Sequence, residues 1–312
     1  MKVVITGATG HVGRYAVDTL SRAGHHVVAI SRSGGSPAVP FGRPARSSAL
    51  EALSLDLARE SSVAALAGAL TGAGALVHLA AWHPEQTAST SRAERRQLLE
   101  VNVHGTLRAL EAARQSRVPL VVYASSFEVY GDAGSGFITE AARVEPITDY
   151  GATKLAGEDH LLAFAYEERA RVVALRMPAI YGPGEKTPRA LPNFLKAVAR
   201  GERPSIHGDG EDLRDQLHAT DAARAIGLAL ERPAHGIFNL ADGERHSIEQ
   251  LARLALEVGE VAGEPERRER VKPRRDFHMS IDKARRELGF APSVDLRAGM
   301  AEQLAWLSHG GS

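Results

Sequence analysis

Lys2-Val3-Val4-Ile5-Thr6-Gly7-Ala8-Thr9-Gly10-His11-Val12-Gly13 is the stretch whose reading decides the fold. A short β-branched run ends in three glycines spaced three apart, and Val12, Ala16, Leu20 and Ala23 then recur at helical spacing up to Gly24, a residue suited to stop a helix. Strand, glycine turn and helix in that order turn a common glycine pattern into a dinucleotide fingerprint. Gly7 and Gly10 let the backbone turn tightly and approach a pyrophosphate, while Gly13 permits close helix packing. The amides from Thr9 through His11 and Val12, with the positive end of the helix, then form an anion site.

About 140 residues further on stands Tyr150-Gly151-Ala152-Thr153-Lys154, preceded by Ser125-Ser126. Four residues are about one helical turn, so Tyr150 and Lys154 share a face. A free phenol titrates near pH 10, and lowering it by about 3 units requires ~4 kcal/mol. An ammonium and the positive charge of an oxidised nicotinamide supply that by favouring phenolate. The pairing predicts proton transfer alongside hydride transfer.

The 312 residues suffice for one large α/β unit with a smaller lobe. Lys plus Arg equals Asp plus Glu at 38 each, so no net field favours nucleic acid or an anionic membrane as partner. The absence of cysteine excludes disulfides, thiolate catalysis and Cys-ligated zinc. The thirteen histidines have no compact metal-ligand spacing, so no metal is expected. A strand beginning at Lys2 leaves no room for a targeting peptide, and no apolar run approaches the roughly 18 residues of a membrane helix. A cytoplasmic location is expected.

Short β-branched runs alternate with helical patterns, which predicts a Rossmann-like, doubly wound parallel sheet. Strands are expected at Val3 to Thr6, His26 to Ile30, Ala52 to Asp56, Leu76 to Leu79, Leu120 to Ala124, Val172 to Arg176 and Ile237 to Leu240. Gly34 to Ser47, rich in glycine and proline, reads as a surface loop. From Pro178 the alternation breaks and a second lobe begins. The expected division is 1–176 plus about 215–242 for the dinucleotide domain, and about 177–214 plus 243–312 for an interleaved substrate lobe.

With both motifs in this order, the chain resembles the extended short-chain dehydrogenase/reductase superfamily, the NAD-dependent epimerase/dehydratase family, over nearly its whole length. That resemblance implies further cofactor contacts: Asp56 and Leu57 at the adenine, Leu79, Ala80 and Ala81 after the fourth strand, and Asn102 as support. Asp56 also reads as a helix N-cap. An acid after the second strand would bind the ribose hydroxyls and repel a 2′-phosphate. Here stand Ser31, Arg32 and Ser33, which favours NADP with NAD as the alternative, unless Arg32 is only a solvated charge.

The resemblance implies Tyr150 as the acid/base, and Lys154 as its tuner and as a partner of the nicotinamide ribose. In relatives ending this strand with Val-Tyr-Gly the catalytic hydroxyl lies four residues before the tyrosine, which selects Ser126 and leaves Ser125 beside the nicotinamide. Glu128 occupies the place of the dehydratases' glutamate base, but their partner acid is replaced by Phe127, so Glu128 is either a base or an acid that orders its loop. His83 and Trp82 follow the fourth strand and face substrate or pack.

His207 to His218, with Asp221, resembles the family's substrate-lobe hairpin and return helix, and Ser280 to Phe290 its closing helix. The likeness implies that Arg214, and by spacing Arg270, grip a phosphate; an ion pair of Arg214 with Asp215 or Asp221 is the alternative. Nucleotide-sugar members carry an asparagine where Ala179 stands, which removes one diphosphate contact. The function expected is NAD(P)-dependent chemistry at a secondary alcohol or ketone, first of a sugar or sugar nucleotide, by epimerisation, reduction or dehydration. The alternatives are a reductase or dehydrogenase of a non-nucleotide ketone or alcohol, or a non-catalytic dinucleotide sensor. Net reduction is slightly favoured by Arg32 and Phe127. Outer helices near Glu94 to Ala113 and Tyr150 to Ala170, with apolar Leu98, Leu99, Leu107 and Leu110, predict a homodimer.

Overall fold

Strand β1 (Lys2–Thr6) is followed by helix α1 (His11–Arg22), then β2 (His26–Ser31) and β3 (Leu50–Ser54). Next come α2 (Ser62–Leu70), β4 (Ala75–His78), α3 (Arg92–Leu98) and α4 (Gly105–Gln115). β5 (Leu120–Ser126), α5 (Asp149–Glu168), β6 (Arg171–Met177) and β7 (Ala179–Tyr181) continue the chain. Then follow α6 (Ala190–Val198), β8 (Ser205–His207), β9 (Gln216–His218), α7 (Ala219–Glu231) and β10 (Gly236–Asn239). α8 (Ile248–Val258), β11 (Glu266–Arg268) and α9 (Leu296–Ser308) complete it. The structure is a computed structural model that describes residues 1–35, 37, 50–84, 90–134, 136–270 and 273–310.

Seven strands form one parallel sheet in the order β10-β6-β5-β4-β1-β2-β3. Both faces are covered, as a parallel sheet requires. Because successive strand residues point to opposite faces, Val3 and Ile5 join the core under α1 and α7, while Val4 joins the core under α2, α4 and α5. Each such fully buried side chain contributes roughly 1.5–3 kcal/mol. The order reverses between β1 and β4, and a ligand crevice opens beyond the carboxyl ends at such a switch point. A third core, of Tyr181, Leu191, Phe194, Ile206, Leu251 and Met300, joins α6, α8 and α9 beside the sheet.

Several elements depart from the sequence reading. β3 lies two residues before the expected span, because Asp56 accepts the Ala58 amide (3.1 Å) and turns the chain there. It is an exposed edge strand, so its apolar pattern set the register poorly. The helix expected over Glu94 to Ala113 is interrupted by a π-helical turn at Leu99–His104. Leu98 and Leu110 go to the core, while Leu99 and Leu107 stay on the surface. No hairpin joins β8 to β9: β8 pairs in parallel with β11, and β9 in parallel with β7. Of the loop expected at Gly34 to Ser47, only Gly34, Gly35 and Pro37 are described; residue 36, residues 38–47 and Lys272 lie outside the described residues.

Candidate active site

The glycine turn is built for close approach. Gly7 has φ +71°, and a Cβ there would stand 2.6 Å from the Ala80 amide nitrogen. A Cβ on Gly13 would stand 2.1 Å from the Gly7 carbonyl oxygen, so α1 packs against the turn only with glycine there. The Gly10 amide donates to Gly7 (2.9 Å), and α1 starts at His11 with no side-chain cap. Its first-turn amides therefore face outward for an anion. A cavity of about 240 Å³ gathers Gly7, Thr9, Gly10, Ser31, Arg32, Asp56 and Leu57, and Leu79, Ala80 and Ala81 line it as well. Behind it, Thr6 Oγ1 lies 2.7 Å from His78 Nδ1, which ties β1 to β4. Burial, reinforced by the Lys154 charge, lowers His78 to about 3 and keeps it neutral.

Two residues of the expected cradle face elsewhere. Val12 packs on the core. His11 points its ring at Glu185, with Nδ1 2.8 Å from the carboxylate. The backbone of both remains in the first turn of α1. Asn102 is buried on the π-turn: its Oδ1 accepts the Trp82 amide (2.7 Å), and its Nδ2 donates to the Trp82 carbonyl (2.9 Å) and to Thr153 Oγ1 (3.1 Å). It thereby fastens the segment after β4 to α5.

Thr148 caps α5 by accepting the Gly151 amide (2.9 Å), and this fixes the phase of the helix. Lys154 is buried, donates to the Ala124 carbonyl at 2.8 Å, and holds its ammonium 4.9 Å from the Tyr123 ring centre and 5.8 Å from that of Tyr150. Burial lowers it from 10.5 to about 8, against the opposing charge of Glu158. Burial and then the Glu128 carboxylate push the Tyr150 phenol up, with Arg189 opposing. In the protein alone the phenol is thus moved away from neutrality, not toward it. Ser126 ends β5 and accepts the Glu128 amide (3.2 Å), while Ser125 donates to Glu158.

Glu128 lies beside the tyrosine. Its carboxylate accepts from Thr148 Oγ1 (2.8 Å), and its other oxygen is 3.7 Å from both His83 Nε2 and Arg189 Nη2. Burial acts to raise it, but the neighbouring His83, the Arg189 charge and the Thr148 hydroxyl outweigh that and lower it. His83 Nδ1 donates to the Pro84 carbonyl (2.7 Å), leaving Nε2 to accept from Arg189 (3.2 Å), and its ring lies 4.4 Å from that of Tyr150. Phe127 packs edge-on against Phe277.

Sequence reasoning missed three residues of this neighbourhood. Arg189, the residue before α6, has no periodic signal. Glu158 and Arg176 form a buried pair (2.9 and 2.6 Å) behind Ser125. Glu158 follows Lys154 by the same four residues that separate Lys154 from Tyr150, and that spacing was readable.

Arg214 and Arg270 meet on the wall of a second cavity, of about 960 Å³. Arg214 pairs with Asp212 (3.5 Å), not with Asp215 or Asp221. Asp215 instead accepts the Met279 amide (2.6 Å), and Asp221 accepts the Val294 amide (2.9 Å). Among the described residues, five arginines and three carboxylates line this cavity.

Residues 3–241 match the model of the NAD dependent epimerase/dehydratase family, and the chain belongs to that family. It is 34% identical over 241 residues to a dTDP-glucose 4,6-dehydratase of Streptomyces griseus, covering 76% of this chain and 72% of that protein. It is 30% identical to a UDP-glucose 4-epimerase of Corynebacterium glutamicum, covering 99% and 96%. Among solved structures, MoeE5 in complex with UDP-glucose and NAD superposes with a TM-score of 0.84 at 31% identity, over the whole of both chains. The chain is thus an NAD-dependent enzyme of the extended short-chain dehydrogenase/reductase type.

Proposed function

We propose that this enzyme epimerises a nucleoside diphosphate sugar by transient oxidation of one ring hydroxyl. The observation that carries this reading is the start of α6. Arg189 reaches the His83–Glu128 pair beside Tyr150, and the next residue, Ala190, walls the arginine-lined cavity. One substrate can therefore extend from the reacting hydroxyl to an anion site with more arginines than acids, which suits a diphosphate.

The cradle fits a dinucleotide, since glycine at position 7 lets the turn lie directly against the backbone of Leu79 and Ala80, and α1 begins with no side-chain cap on its first-turn amides. Gly7, Gly10 and the first-turn amides would hold its pyrophosphate, Asp56 and Leu57 its adenosine, and Lys154 its nicotinamide ribose. When bound, the nicotinamide accepts a hydride from a carbinol carbon and can return it. Tyr150 takes the hydroxyl proton as the carbonyl forms, and gives it back. Ser126 orients that oxygen. Lys154, with the added positive charge of the oxidised cofactor, lowers the phenol that burial and Glu128 raise.

Epimerisation is preferred to dehydration because the residue before Glu128, an acid in the dehydratases the sequence resembles, is here Phe127, whose ring packs on Phe277. Glu128 is already engaged by Thr148 and flanked by His83 and Arg189. Net reduction of a ketone is the second reading, and Arg32, which lines the cavity, favours it because a guanidinium suits a 2′-phosphate and hence NADP. We assign the smaller lobe to 177–214 plus 243–312 and expect a cytoplasmic homodimer. No helix among the described residues is long and apolar enough to cross a membrane.

The test is to incubate the isolated protein with UDP-glucose and dTDP-glucose, adding no cofactor, and follow the sugar by NMR. Appearance of the epimer supports the proposal. Turnover only with stoichiometric loss of NADPH and an added ketone selects the second reading.

A further inference from the structure

At the wall of the arginine-lined cavity, one carboxylate is placed as a ligand would be. Asp212 is buried, with Oδ2 2.9 Å from Arg270 Nη2 and Oδ1 3.5 Å from Arg214 Nη2. Oδ1 also accepts the Arg275 amide at 3.1 Å. Burial acts to raise this carboxyl, but the Arg270 bond, the Arg275 amide and the Arg214 charge outweigh it, so it stays ionised. Arg214 spends Nη1 on the carbonyls of Leu213 and Arg275, and its guanidinium lies 5.7 Å from the Phe277 ring centre. Only its Nη2 turns to Asp212. The nitrogen of Arg270 that meets Asp212 also meets Asp209 (2.6 Å). The donors that a phosphate would use are therefore already facing acids of the chain itself.

We propose that Asp212 is a resident competitor for the anion site, a specificity-determining residue that a phosphate must displace from Arg214 and Arg270 before it binds. This deepens the diphosphate-sugar reading and rests on it. The carboxylate keeps both guanidinium groups oriented in the free protein, and it opposes the bound phosphate by like charge once a ligand arrives. Affinity is thereby held down, so that a product with the same diphosphate can leave.

The experiment is calorimetric titration of the wild-type protein, Asp212→Asn and Asp209→Asn with UDP, inorganic pyrophosphate and uridine. Asparagine keeps an acceptor for the Arg275 amide and removes the charge. Asp212→Asn should bind UDP and pyrophosphate about 5- to 20-fold more tightly than wild type, with a steeper dependence on salt. Uridine, which has no charge, should bind both within twofold. Asp209→Asn alters a half-exposed acid and should tighten UDP by about twofold, which keeps the test open should Asp212→Asn not fold. Unchanged or weaker UDP binding in folded Asp212→Asn overturns the proposal, as does an unchanged Asp209→Asn where the first variant cannot be obtained. Pyrophosphate binding that tightens in the variants without UDP binding would retain the competitor and remove the nucleotide reading. Absence of binding by either probe removes both.

Discussion

The Lys154 ammonium donates to the Ala124 carbonyl at 2.8 Å and stands 5.8 Å from the centre of the Tyr150 ring. The lysine is therefore anchored to the end of β5, and its effect on the phenol acts through space. Such anchoring fixes the charge but leaves it in a poorly solvated place.

A pH dependence of stability follows. Burial takes Lys154 from 10.5 in the open chain to about 8. Between those values the unfolded chain binds a proton that the folded protein does not, so stability rises with pH across that window. It is lost again as pH falls through 8, where the folded protein carries the charge, at a cost of roughly 3 kcal/mol. Denaturant unfolding from pH 7.5 to 10 should show wild type gaining stability relative to Lys154→Met. Parallel curves for the two proteins would refute the assignment.

Tyr150→Phe should lower turnover by about 10²–10⁴-fold, the usual contribution of a positioned acid–base group. Dinucleotide binding should change little, because the cradle is made by the glycine turn and the residues after β4, not by the phenol. The check is kcat together with a cofactor titration. A variant retaining more than about a tenth of the wild-type rate would contradict the role.

Much of this centre was legible because it is local. Tyr150 and Lys154 lie one turn apart, and Gly7, Gly10 and Gly13 lie in one turn, so spacing alone brings them together. Glu158 belongs to the same helix face and could have been read the same way; its partner Arg176 comes from β6, and only the sheet register pairs them. Arg189 reaches Glu128 across 61 positions of chain, and Asp212 meets Arg270 across 58. No periodicity encodes such meetings. The misplaced β3 has the opposite cause, since an exposed edge strand carries little hydrophobic pattern to read.

Arg32→Ala tests the cofactor. If the guanidinium meets a 2′-phosphate, the variant should weaken NADPH binding by about tenfold or more and leave NADH within about twofold. Fluorescence titration of both cofactors decides it. Tighter NADH than NADPH binding in the wild type would defeat the NADP preference directly.

The subunit interface is expected on the outer face of α4 and α5, where Leu107, Leu162 and Tyr166 are exposed, Tyr166 by 89%. The proposed dimer buries that apolar row. Leu107→Asp with Tyr166→Asp should give a monomer by light scattering at a concentration where wild type is dimeric. A monomeric wild type at micromolar concentration would end the proposal.

Glu128→Gln separates the possible reactions. An enzyme that returns a hydride to the carbon it came from needs no base at carbon, so the variant should keep its rate within about tenfold. Glutamine still accepts from Thr148, which preserves the local geometry. The rate loss expected is small because the removed charge is one that raises Tyr150, so the phenol should titrate lower in the variant and the pH profile should move in the acid direction. An elimination, or epimerisation through a carbanion, would instead lose 10²-fold or more. Turnover in deuterium oxide gives an independent readout, because hydride return leaves no solvent deuterium on carbon whereas proton abstraction incorporates it. Loss of all turnover in Glu128→Gln, together with deuterium in the wild-type product, would exclude both hydride-return epimerisation and simple ketone reduction.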